Sequence, residues 1–277
     1  MKTLTANPKY DFSSVVPTTH TDDEVVQLMK QLKMSAMRAL YLDQKDSSSF
    51  NRLTLNDQLY ELLSAECIKR QNNGYINRLK KSNRESDANS VQFIEHASHY
   101  SLSRQQADYL LSGKWFGEQT LVITGPSGTG KTYCCSSIIE ATCRKGKRAM
   151  NLRYPLFSLE LSEKMNRPIE FMSYINHLCS YNLLVIDDFC INKRPHPNEP
   201  EAIKTFLDKC LEKRCGLIIS SQVTSSGWIS YFGKDAIAEA IVERILIKDK
   251  YFTIPLKGES HRAGKAAIIP EASTVGR

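Results

Sequence analysis

Residues 125–132, Gly-Pro-Ser-Gly-Thr-Gly-Lys-Thr, complete the pattern G-x-x-x-x-G-K-[ST], and no other segment constrains the fold of this chain as tightly. The run needs a strand that ends in it and a helix that begins in it. Both are legible: 120–124 is β-rich, and 131 to about 144 has helical spacing. Glycines let the backbone wrap an anion closely, and the N–H groups of the loop join those of the helix N-terminus as an anion nest. The loop therefore reads as a nucleotide phosphate cradle made of Gly125, Pro126, Ser127, Gly128, Thr129, Gly130, Lys131 and Thr132. Lys131 reaches the β- and γ-phosphates, and the Thr132 hydroxyl ligates Mg²⁺.

The chain after Trp115 alternates strands and helices. Strands are expected at 148–153, 183–187, 216–221 and 251–257. Helices are expected at 156–165, 169–178, 199–213 and 234–248. Leu-Leu-Val-Ile at 183–186 is apolar on both faces, as a buried parallel strand must be. The fold class is α/β, a P-loop core with a parallel sheet flanked by helices and preceded by a small all-α domain. Asp187 and Asp188 end the apolar strand as paired carboxylates, expected on a strand neighbouring the phosphate loop. Asp187 is placed to hold Mg²⁺ and Asp188 to polarise an attacking water. At the end of 216–221, either Ser221 or Gln222 can sense the γ-phosphate. Arg244, at the edge of the helix AEAIVERI (238–245), reads either as an arginine finger toward a neighbouring subunit or as a surface ion pair.

The first part of the chain lacks this alternation. Residues 1–20 are polar and read as a flexible arm. Thr21 and Glu24 have capping-box spacing, and one helical pattern runs from Val25 through Leu28, Met29, Leu32, Ala36 and Ala39 to Leu40. Ser47-Ser48-Ser49 breaks it. Thr54 caps a second helix with Leu55, Leu59, Leu62 and Leu63 on one face. A helical DNA- or partner-binding domain is expected at 21–90, a linker and short helix ending at Gly113 within 91–114, an ATPase core at 115–258 and a tail at 259–277.

Lys and Arg number 37 against 30 Asp and Glu, a net charge of +7. The excess permits nucleic-acid contact without requiring it. It concentrates in Lys69, Arg70, Arg78, Lys80, Lys81 and Arg84, six bases facing two acids within 66–86, and again in Arg144, Lys145, Lys147 and Arg148. The first cluster is the expected DNA contact. The eight cysteines form no C-x-x-C pair and no zinc-spaced group, so free thiols of a reducing cytosol are expected. No secretory leader and no apolar run of membrane length is present, which predicts a soluble cytoplasmic protein with no membrane contact.

Taken together, GPSGTGKT (125–132), LLVIDDF (183–189), the Ser-Ser-Gln turn (220–222) with Trp228 downstream, AEAIVERI (238–245) and LKGES (256–260) resemble the insertion-sequence transposition helper ATPases of the IstB-like type. These are close relatives of the DnaC-like helicase loaders, and both are AAA+ proteins. In the amino-terminal part, 28–34 and the helix from Leu59 to Arg70 with Leu79-Lys80-Lys81 match as well. The resemblance implies ATP and Mg²⁺ as cofactors and hydrolysis of ATP. It implies a homo-oligomer, ring or helical, that binds and remodels duplex DNA and recruits a cognate transposase. It carries Lys131, Thr132, Asp187, Asp188, the 221–222 position and Arg244 to the family's roles. Two departures stand out. Most AAA+ proteins end the carboxylate strand in Asp-Glu rather than Asp-Asp. The twenty residues after Lys257 leave no room for a helical lid, so no second-sensor arginine is expected. A replicative helicase loader, a small-molecule kinase and a non-catalytic nucleotide-gated clamp are the alternative readings.

Overall fold

The computed structural model describes residues 19–256. They fall into two compact units that divide after Asn73. The expected LKGES motif beyond Leu256, the tail and all but the end of the amino-terminal arm lie outside the described residues.

The first unit is helical: α1 (Asp22–Gln31), α2 (Ser35–Gln44), α3 (Ser48–Asn51) and the greater part of α4 (Leu55–Lys80). Thr21 and Glu24 form the capping box of α1. The single helix expected from 25 to 40 is instead two, because the chain turns at Lys33, which takes a left-handed φ of 56°. No side chain of its own caps α2. Glu66 does so from α4, its carboxylate accepting from the N–H groups of Ala36 (2.9 Å) and Met37 (3.4 Å). A carboxylate at a helix N-terminus satisfies orphan donors and complements the helix dipole. Of the expected apolar face of α4, only Leu62 is buried; Leu55, Leu59 and Leu63 stay exposed.

The second unit opens with α5 (Ser90–Glu95), a 3-10 turn (Ala97–Tyr100) and α6 (Arg104–Ser112). The sheet elements follow: β1 (Thr120–Thr124), α7 (Lys131–Arg144), β2 (Ala149–Arg153), α8 (Tyr154–Met165), α9 (Pro168–Leu178), β3 (Leu183–Asp187), α10 (Glu199–Glu212), β4 (Gly216–Ser221), α11 (Ser225–Phe232), α12 (Ala236–Ile245) and β5 (Tyr251–Pro255). All strands pair in parallel, in the order β2-β3-β4-β1-β5.

Strand alternation divides the core into two layers. Leu184 and Ile186 of β3, Leu217 and Ile219 of β4 and Val122 of β1 join the layer formed with α8 to α12. Their neighbours Leu183, Val185, Ile218, Leu121 and Ile123 join the layer formed with α5, α6 and α7. Residues 91–114, expected to link two domains, belong to this second layer. Phe93, Tyr100, Leu110 and Trp115 fill it beside Ile138, and the Trp115 indole donates to the Leu110 carbonyl at 2.9 Å. Burying such large side chains contributes roughly 1.5–3 kcal/mol each, which holds the segment on the sheet. The boundary of the compact unit therefore lies at 73/74 rather than at 90 or 115.

Candidate nucleotide site

The strand order decides what meets at the phosphate loop. β4 lies between β1 and β3, so the carboxylate strand is next but one to the loop strand rather than its immediate neighbour, as the sequence had suggested. The residue at the end of β4 is thereby inserted between the loop and the carboxylates.

The loop itself is built as its glycines require. Gly128 and Gly130 have φ of 85° and 95°, which other residues rarely adopt. A Cβ on Gly125 would lie 2.5 Å from the Leu256 carbonyl oxygen, which backs the loop through the 2.7 Å hydrogen bond from Leu256 N–H to Thr124. Lys131 is buried, and its ammonium donates to the carbonyls of Gly125 (2.8 Å) and Pro126 (2.7 Å). The loop thus holds its own lysine across the phosphate position. Thr132 Oγ1 donates to Asp187 Oδ2 at 3.1 Å, so hydroxyl and carboxylate converge as the expected metal pair. An oxygen donor set of this kind fits a hard divalent cation.

Asp188 takes a left-handed φ of 57°, which aspartate tolerates, and this turns its carboxylate out of the strand line. Gln222 Nε2 donates to Asp188 Oδ1 at 3.2 Å. Both line a cavity of about 320 Å³ together with Ser127, Gly128, Lys131 and Thr132.

Burial distinguishes Ser221 from Gln222. Ser221 does not face the cavity. Its hydroxyl donates to the Phe189 carbonyl (2.7 Å) and accepts from Trp228 Nε1 (3.0 Å) and Val223 N–H (3.1 Å). With Phe189 N–H donating to the Ser220 carbonyl (2.8 Å), it clamps the turn that carries Asp188 onto the end of β4. The sequence missed two charged residues here. Arg153, at the end of β2, lines the same cavity and forms an ion pair with Glu85 (3.1 Å), another lining residue. The signal available was position: Arg153 ends a strand at the same edge as Asp187, and the two are in register.

Arg244 lies outside this cavity. Its Nε pairs with Asp208 of α10, and Nη1 donates to the Ala240 carbonyl at 2.8 Å. Burial opposes the charge on Asp208, yet the hydrogen bonds from Arg244 and Lys204 outweigh it and hold that carboxyl below the usual range.

The basic candidates are unequal. Arg70 pairs with Glu66 and Lys69 donates to Ser35. In the second unit, Arg78 donates to the Cys143 carbonyl, and Arg84 to the Ala88 carbonyl and Asp87. Lys80 and Lys81 are exposed. The cluster at 144–148 is tied into the fold: Arg144 pairs with Glu140, Lys145 donates to Leu111, Lys147 lies over the Phe116 ring and Arg148 over Tyr181. Among the described residues, no helix is long and apolar enough to cross a membrane.

Known proteins carry the same pattern. The profile of the IstB-like ATP binding protein family matches residues 27–267. A protein of Bacillus thuringiensis subsp. berliner, named as the ATP-binding protein of insertion sequence IS232, is 26% identical over 84% of this chain and 92% of its own length. The insertion sequence ATP-binding protein y4pL of Sinorhizobium fredii is 30% identical over 61% of this chain and 67% of its own. Among solved structures, the DnaC helicase loader aligns with a TM-score of 0.44 and 18% identity over 55% of this chain and 90% of that one. The chain belongs to the IstB-like ATP binding protein family and is an ATPase.

Proposed function

We propose that this ATPase is the DNA-binding helper of an insertion-sequence transposase: it assembles on duplex DNA with ATP, remodels it and recruits the transposase, and hydrolysis controls its release. The observation that carries the chemistry is the convergence, in one cavity, of the phosphate loop, Thr132 and the Asp188–Gln222 pair, with the buried Asp187 accepting from Thr132 behind the cavity wall.

Phosphate entry offers Lys131 a stronger partner than the two loop carbonyls it now satisfies, and it turns to the β- and γ-phosphates. Thr132 and Asp187 would hold Mg²⁺, which when bound neutralises charge on the β- and γ-oxygens. Asp188 polarises the water that attacks the γ-phosphorus, and Gln222, hydrogen-bonded to it, orients that water and senses the phosphate. Ser221 is a positioning residue for this pair. Arg244, supplied by a neighbouring subunit, completes the site and couples hydrolysis to assembly, which requires it to leave Asp208.

For DNA, exposure favours Lys80 and Lys81 over the more tethered Lys69, Arg70, Arg78 and Arg84. Neutralising a phosphate-contacting lysine lowers the slope of log affinity against log salt by about one. The insertion-sequence names of the relatives support a transposase partner. The test is Lys131→Ala in an electrophoretic assay of ATP-dependent assembly on duplex DNA. Loss of assembly with a folded protein is expected, and assembly equal to wild type refutes the proposal.

A further inference from the structure

The end of the sheet away from the phosphate loop holds a cluster that the nucleotide chemistry does not use. Cys179 caps the C-terminus of α9, Cys210 lies in the last turn of α10, and Cys215 immediately precedes β4. Their spacing in the chain has no zinc pattern. The fold brings all three sulfurs within 4.8 Å of one another. Cys179 Sγ and Cys210 Sγ are 3.7 Å apart, and Cys215 Sγ–H donates to the Cys179 carbonyl at 3.3 Å. All three residues are buried. Among the described residues, no other group of three or more His, Cys, Asp or Glu is gathered as a candidate metal cage.

Metal–thiolate bonds of about 2.3 Å at a tetrahedral angle set neighbouring sulfurs roughly 3.8 Å apart. The Cys179–Cys210 separation already matches. Van der Waals packing brings two sulfurs equally close, so the pair alone would carry nothing. Two further features do. The third sulfur comes from a different element and closes a triangle. A cavity of about 310 Å³, lined by Cys210, Cys215, Gln119, Arg214 and Lys250, opens directly on two of the three. That cavity is an entry path, a source of a fourth, water ligand and an exit for protons. Its wall carries Arg214 and Lys250 against one acid, Glu118, which pairs with Arg214 at 3.7 Å, so one net positive charge faces the negative charge that three thiolates bring. Ligands, separations, charge balance and access are the features that a metal site must show together.

We propose that Cys179, Cys210 and Cys215 bind a thiophilic d¹⁰ cation, Zn²⁺ as ordinarily supplied, with cavity water as the fourth ligand. Each thiol gives its proton to solvent as its sulfur–metal bond forms, and no electron is transferred. The bound cation ties the ends of α9 and α10 to the start of β4. Three protein ligands with an open fourth position also leave the cation able to exchange.

The test uses the full chain, reduced and stripped of metal by a chelator, titrated with Co²⁺. One equivalent should bring up a thiolate-to-cobalt charge-transfer band and the intense visible bands of tetrahedral cobalt, both displaced by Zn²⁺. Cys67→Ser, which removes the one exposed cysteine, should leave them unchanged. Cys210→Ala keeps an apolar core side chain and should weaken binding at least tenfold. Zn²⁺ should raise the melting temperature of the wild type but not of Cys210→Ala. A folded wild-type protein without the charge-transfer band overturns the proposal, as does a band that survives Cys210→Ala unchanged.

Discussion

Glu85 and Arg153 face each other inside the nucleotide cavity, and Glu85→Ala should tighten ATP binding. The ion pair is 3.1 Å long, with the Arg153 side chain 59% exposed and that of Glu85 31% exposed. Such a pair is worth at most about 1 kcal/mol, because solvent screens it. Removing the carboxylate releases a guanidinium that an incoming phosphate can use, and it also removes an anion from a cavity built for anions. Both effects have the same sign. Full release of about 1 kcal/mol corresponds to roughly fivefold in affinity, and the relieved repulsion can raise this toward tenfold at low salt.

Titration with a fluorescent ATP analogue, at low and at high ionic strength, reads the change directly. Arg153→Ala should weaken binding by a similar factor. In the Arg153→Ala background, Glu85→Ala should retain only the repulsive part, a coupling that a double-mutant cycle isolates. An affinity unchanged or lowered by Glu85→Ala refutes the reasoning. So does an equal gain with and without Arg153, since the clasp would then play no part.

Ser221→Ala should lower stability by about 1–3 kcal/mol, since it strands the buried Trp228 N–H, whereas Gln222→Ala should leave the denaturation midpoint alone and cut ATP turnover at least tenfold. Chemical denaturation beside a phosphate-release assay distinguishes the two. Glu140 is buried in α7 and accepts from Tyr75 (2.7 Å), Ser90 N–H (3.2 Å) and Arg144; burial opposes its charge, but these donors outweigh it and lower its pKa. A lowered carboxyl stabilises above the ordinary carboxylate range and loses that contribution as pH falls through its folded value. Glu140→Gln should therefore cost about 1–3 kcal/mol near neutrality, with the gap to wild type closing in acid, as denaturant midpoints across pH will show. Asp208→Asn weakens the hold on Arg244 and should raise ATP-dependent assembly on DNA, read by sedimentation; reduced assembly would count against a finger supplied by a neighbour.

The phosphate loop, the five strands and most helices were legible because each carries a local signal. The glycines of 125–130 announce a turn that only they can make, and Leu183 to Ile186 are apolar at every position. What escaped were consequences of position across the sheet. Nothing near Asp187 in the chain says that β4 will intervene before the loop strand, yet that insertion places Gln222 against Asp188. The role of Ser221 depends on Trp228, seven residues on, folding back through α11. Arg153 ends an expected strand, and only its register with Asp187 puts it in the cavity. The gathering of three cysteine sulfurs escaped for the same reason, because spacing rules describe residues close in sequence while these converge from α9, α10 and the approach to β4. In the first unit, helical spacing promised a continuous helix and a buried leucine face on α4. Lys33 and the exposure of Leu55, Leu59 and Leu63 show that spacing sets which residues share a face, and only tertiary packing decides whether that face is covered.

The buried hydrogen bonds around Ser221 explain how the half-buried Asp188 and the exposed Gln222 can keep a fixed geometry. Asp188 sits in a tight left-handed turn and Gln222 just beyond a strand end, both positions where side chains ordinarily wander. Beneath them, the Trp228 indole, the Ser221 hydroxyl and the Phe189 carbonyl form one donor–acceptor chain, and Phe189 packs edge-on against Trp228 at 5.2 Å. None of these atoms touches the cavity, and all are shielded from water, where a satisfied hydrogen-bond chain holds its partners firmly and a broken one is costly. The backbone on either side of the Asp188–Gln222 contact is therefore set from below, by α11. A shift of α11 would carry Trp228 with it, and through Ser221 and Phe189 the turn that holds Asp188. The Ser-Gln turn and Trp228 are, in this fold, one hydrogen-bonded link between α11 and the turn that carries Asp188.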